Sequence, residues 1–107
     1  MRRLPSDEMK RYQIGIVRAI EGGDAELVRV ILESGIVHIN AVLQNTGETF
    51  LHVAVRKRQE EIIEYLLRRG IDAHRRDNIG MQAMEIAIDT GDVRIQHRLK
   101  TWIEDGV

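Results

Sequence analysis

The chain has 107 residues, 43% of them hydrophobic and 31% charged, with one proline, no cysteine and a formal net charge of −1. That composition suits a single domain with one modest core rather than a disordered chain. The missing cysteines exclude disulfides, thiolate catalysis and cysteine-ligated zinc, and the near-zero charge leaves no global field to draw nucleic acid or a membrane surface.

In chain order, MRRLPSDEMK has two arginines but no apolar run behind them, so no signal peptide is expected. Nothing later approaches the ~18 apolar residues of a membrane span, and a cytoplasmic and/or nuclear location is the expectation. PSDEMKRYQIGIVRAI predicts one long helix, started by Pro5 or capped by Ser6, with Asp7 and Glu8 in its first turn. EGGD reads as an interhelical turn around Gly23. Leu27, Val28 and Leu32 then follow helical spacing up to Gly35. The segment INAVLQN puts Val42 and Leu43 on a loop tip, either exposed toward a partner or dimer mate or folded back.

TGETFLHVAV opens the next unit. Thr49 is placed to cap a helix carrying Leu51, Ala54 and Val55. A second helix carries Ile62, Ile63, Leu66 and Leu67, and Gly70 is placed to end it in a left-handed turn. A polar stretch from Ile71 to Gly80 leads to a similar pair of helices in GMQAMEIAIDTGDVRIQHRLKTWI.

These units repeat. Shifted by 33, Gly47 falls on Gly80, Leu51 on Met84, Ala54 on Ala87, Val55 on Ile88, Ile62 on Ile95 and Leu66 on Leu99. Shifted by 35, Ile16 falls on Leu51, Ala19 on Ala54, Leu27 on Ile62, Leu32 on Leu67 and Gly35 on Gly70. Helices this short are marginal alone in water and must bury their faces on neighbours. The small alanines let two helices approach closely.

A unit of this length with a turn and two helices resembles the ankyrin repeat. GETFLHVAV is similar to the signature Gly-x-Thr-Pro-Leu-His-x-Ala-Ala, with Phe50 and Val55 as departures. EIIEYLLRRGID resembles the family's second helix and its terminal glycine, and ESGIVHIN the same segment ending in the family's asparagine, here Asn40. The resemblance implies an all-α solenoid of three stacked helix-turn-helix units joined by hairpin-like fingers. The whole chain, 1–107, would be one domain with repeats at about 6–40, 41–76 and 77–104. The outer units read as caps. Gln96 and Lys100 stand where the middle unit has Ile63 and Leu67, and the first unit lacks the finger. Arg58 stands where the other units have Gly23 and Gly91, at a cost of about 1 kcal/mol or a rearranged turn.

His52 admits two readings, a catalytic base or an architectural tie. The resemblance implies the tie, to Thr49 and neighbouring backbone, and its counterparts Val17 and Glu85 offer no active site. His38, His52, His74 and His97 lack metal-ligand spacing. No phosphate loop is present, so neither an enzyme nor a bound cofactor or metal is expected.

The resemblance implies a non-enzymatic protein-protein interaction module, such as an adaptor, scaffold or inhibitor, which uses the concave groove formed by fingers and first helices. Its expected contact residues are Leu43, Asn45, Glu48, Arg56, Lys57, Arg75, Arg76, Ile79, Met81 and Asp89. Cations with apolar neighbours suit a partner segment of mixed acidic and apolar character. The competing reading is a solvated charge cluster neutralised by Glu48, Glu60, Glu61 and Asp77. Two alternatives remain: nucleic-acid binding through Arg56, Lys57, Arg75 and Arg76, and self-association through a terminal repeat. Balanced charge and the absence of a stacking platform weigh against nucleic acid. A monomer or weak homodimer is expected.

Overall fold

The computed structural model describes the chain from Ser6 to Val107, with side chains from Lys10 onward. The readings of Pro5, Ser6, Asp7 and Glu8 as a helix start lie outside the described side chains. Six helices follow one another: α1 (Ser6–Glu21), α2 (Ala25–Glu33), α3 (Phe50–Arg56), α4 (Glu60–Arg68), α5 (Ala83–Asp89) and α6 (Val93–Asp105). No strand occurs among the described residues.

Local signals set the helix ends. The Asp24 carboxylate accepts the Leu27 amide to open α2, and Asp92 accepts that of Ile95 to open α6. Thr49 caps α3 as its sequence position implies. Gly70 closes α4 at φ +83°, with the Ile71 amide returned to the Leu66 carbonyl. Arg58 adopts φ +56°, the left-handed conformation that Gly23 and Gly91 supply in the other units. Its guanidinium donates to the Thr90 carbonyl at 3.1 Å, while the neighbouring Gln59 amide group donates to the Glu21 carbonyl at 3.3 Å. The middle turn thus bridges to the repeats on both sides.

Within each unit the two helices pack together, and the first helices pack in series, α1 on α3 and α3 on α5. Ile16, Leu51, Ala54, Ile63, Leu66 and Ala87 are fully or almost fully buried in one continuous core. Ala54 is fully buried between the helices of this core, so a larger side chain there meets close-packed neighbours.

Two positions depart from the repeat register. Leu27 matches buried Ile62, and Ile88 matches buried Val55, yet Leu27 and Ile88 are both exposed. Each lies at an end of the stack, where no further repeat covers it. In the last unit Gln96 hydrogen-bonds the Ala87 carbonyl and Lys100 is exposed. Trp102 packs against the core with the Arg98 guanidinium over its ring, 5.6 Å from the centroid.

The connections form the fingers. In the first, the Leu43 amide bonds the Glu48 carbonyl and the Gly47 amide bonds the Leu43 carbonyl. In the second, Asp77 and Met81 close an equivalent turn. The fingers are tied to each other by the Asn78 amide and the Thr46 carbonyl, 2.9 Å apart. Gly47 has φ +71°, and a β-carbon there would lie 2.9 Å from the Asn78 backbone nitrogen. Asn40 accepts the Asp72 amide at 2.8 Å, a further link between successive units.

Candidate protein-binding surface

His52 is buried with both ring nitrogens engaged. Nδ1 lies 3.0 Å from the Thr49 amide nitrogen and 2.8 Å from its hydroxyl oxygen. Nε2 lies 2.7 Å from the Met81 carbonyl oxygen. An amide can only donate and a carbonyl can only accept, so Nε2 carries the proton and Nδ1 does not. The ring ties the start of α3 to the second finger and offers no free nitrogen to a substrate or metal. Among the described residues no group of three His, Asp or Glu side chains is arranged to hold a metal ion.

The face made by first helices and fingers carries the residues expected to contact a partner. Arg56, at the end of α3, hydrogen-bonds the carboxylate of Glu48. Glu48 is itself buried, so this pair belongs to the fold as much as to the surface. Arg76 donates to the Gly80 carbonyl at 2.7 Å and to Glu85 at 3.1 Å. Lys57 and Arg75 are exposed and make no ion pair among the described residues. Of the four cations, two are therefore engaged within the chain. Ile79 is 79% exposed, Met81 half-buried beneath it on the second finger, and Asp89 exposed at the end of α5. Val42 and Leu43 are folded back: both are half-buried, and Leu43 packs on the core. The tip is polar Gln44, Asn45 and Thr46 instead, because Leu43 loses less by facing the core than by facing water.

Leu43, Asn45, Glu48 and Arg56 come together around one concavity of about 500 Å³. Lys57, Arg75, Arg76, Ile79, Met81 and Asp89 lie outside it. Its other wall is a stripe of α1, Lys10, Ile14, Val17, Arg18 and Glu21, of which sequence reasoning had placed only Glu21 on this surface. Their spacing of i, i+4, i+7, i+8 and i+11 puts them on one helix face. The signal was in the sequence. Val17 is half-buried against the core, and Ile14, 54% exposed, continues the apolar arc of Ile16, Ala19 and Ile20 out to the surface.

A second concavity, of about 440 Å³, lies between α4 and α6. Arg94 reaches Glu60 at 2.9 Å, and Arg98 binds Glu64 through two hydrogen bonds. The Arg98 guanidinium holds the Glu64 carboxyl below the usual glutamate range against the opposing effect of burial.

The geometry is that of a repeat protein, and the comparisons agree. The family model for three copies of the ankyrin repeat matches residues 8–77, more than half of the chain. The chain belongs to the ankyrin-repeat family. It is 38% identical over 84 residues to BRCA1-associated RING domain protein 1 of Caenorhabditis elegans, covering 78% of this chain and 12% of that protein. It is 34% identical over 80 residues to the human 2-5A-dependent ribonuclease, covering 75% of this chain and 11% of that one. It is 38% identical over 72 residues to mouse Ankyrin repeat and SOCS box protein 6, covering 64% and 17%. The chain thus spans a small part of each relative. A match to a tenth of a ribonuclease assigns no nuclease activity here. Ankyrin repeats are non-catalytic modules that bind other proteins. No helix among the described residues is long and apolar enough to cross a membrane.

Proposed function

We propose that this chain is an adaptor, scaffold or inhibitor module that holds a segment of a partner protein against its first helices and fingers, in the cytoplasm or nucleus. The single observation behind this reading is the joined surface itself. Both fingers and the first helices offer exposed polar and cationic side chains beside half-buried Leu43 and Met81, on a framework fixed by His52 and the bond between fingers. A rigid, pre-formed surface binds without paying for its own ordering. Of the four expected cations, Lys57 and Arg75 are the ones free to take carboxylates, and Ile79 on the second finger offers exposed apolar area.

The test is affinity capture from native extract with the wild type beside Lys57→Glu/Arg75→Glu. Arg56 is avoided because its reversal strands the buried Glu48 carboxylate. The double variant is expected to keep its helical circular dichroism and lose at least about tenfold in captured partner, in line with two charge-assisted contacts. Unchanged capture by the folded variant removes Lys57 and Arg75 from the binding surface.

A further inference from the structure

The first unit departs from the other two in a way that builds a site. α3 begins at Phe50 and α5 at Ala83, 33 residues apart. The same register, 35 residues upstream of Phe50, falls at Gly15, yet α1 begins at Ser6, nine residues earlier (15 − 6). The first unit therefore has extra helical turns where the others have a finger. Lys10, Gln13 and Ile14 belong to that extension, and all three line the concavity opposite the first finger. Ile14 is 54% exposed, although an apolar side chain on a solvated helix face gains nothing from water.

We infer that this concavity is a side-chain pocket for an extended segment of a partner protein, one with a bulky apolar residue flanked by carboxylates. The inference rests on the protein-binding reading above and locates a subsite that the fingers alone do not define. Ile14 and Val17 on one wall and Leu43 on the other supply the apolar floor. The charged groups around it are Lys10, Arg18 and Arg56 against Glu21 and Glu48, a local excess of one positive charge (3 − 2) in a chain whose net charge is −1. Glu48 and Arg56 satisfy each other. Lys10 and Arg18 stand one turn to either side of Ile14, at i−4 and i+4, so a carboxylate on each side of an inserted apolar residue meets a cation. The volume lies within the range of about 300–1,000 Å³ typical of small-ligand pockets.

The probe is a fluorescein-labelled decapeptide with a Leu-Phe pair flanked by two aspartates on each side. Two controls replace the aspartates with lysines or the Leu-Phe pair with alanines. Binding to the full chain is followed by anisotropy and by methyl NMR of Ile14, Val17 and Leu43. The acidic apolar peptide is expected to bind saturably and to shift those three methyls. Lys10→Glu/Arg18→Glu and, separately, Ile14→Asp should each weaken it about tenfold or more with circular dichroism unchanged. Equal binding of the lysine or alanine control overturns the proposal, and so does the absence of binding. Shifts confined to Ile79 and Met81 overturn this subsite while leaving the finger surface standing. Loss of the finger surface itself is read independently from the Lys57 and Arg75 variant.

Discussion

Val55 and Ile88 occupy the same place in successive repeats, as do Ile62 and Leu27, yet their fates differ. Val55 is 0% and Ile62 1% exposed in the middle unit; Ile88 is 58% and Leu27 42% exposed at the two ends. Residue type and local helix are nearly the same in each pair. What changes is whether another repeat lies alongside. Burial in this molecule is set by place in the stack, which is the expected behaviour of a solenoid whose units contact only their neighbours. Among the described residues the middle repeat consequently holds half of the buried hydrophobic side chains, about as many as both outer repeats together, and the buried histidine tie. The outer repeats retain surface for other uses.

The largest effect that would break this contrast is a charge in the buried middle repeat. Ala54→Glu puts an unpaired carboxylate in a fully buried site, and the chain should lose its cooperative helical melt at 25 °C. A folded Ala54→Glu protein would mean that α3 does not pack as described. Next, Ile62→Ala should cost about 2–5 kcal/mol in urea denaturation, as for other fully buried aliphatic truncations, and Leu27→Ala less than half of that. Equal costs would erase the distinction between middle and end. His52→Ala strands the Thr49 amide and the Met81 carbonyl, and a loss of about 2–3 kcal/mol is expected in the same assay.

Smaller effects sharpen the picture. Arg58→Gly relieves a left-handed non-glycine backbone worth about 1 kcal/mol. It forfeits one exposed hydrogen bond and a loose ion pair worth at most about 0.5 kcal/mol. A small rise in melting temperature is the expected balance. Glu64 has a folded-state value depressed by Arg98, so its contribution is present above the unfolded glutamate range and is lost as pH falls through the folded value. Melting temperature should therefore decline on acidification below about pH 4.5, the ordinary value for the group, with a shallower decline in Glu64→Gln.

Much of the fold was legible because the middle repeat states its own rules. Thr49, Ala54 and Gly70 are placed by helical spacing and capping chemistry, the His52 tie was implied by the family resemblance, and of the two readings of Arg58 the structure shows the left-handed turn kept at a non-glycine. The surface was less legible. Glu48 reads as an exposed finger residue, but it is buried against Arg56, eight positions on, a pairing set by how the finger folds back on α3. Leu43 reads equally well as tip or floor. Only the closed turn between Leu43 and Glu48 decides for the floor. The α1 wall escaped notice because the first unit has no finger to align, so nothing in the repeat register pointed to Lys10, Ile14 or Arg18.

The most direct test of the stack as the source of order is residue-resolved native-state hydrogen exchange. Amides of α3 and α4 should be the slowest to exchange, with α1, α2 and α6 opening at lower free energy, because among the described residues these two helices carry the most buried side chains. Exchange from α6 or α2 as slow as that from α3 and α4, or slower, would contradict the account.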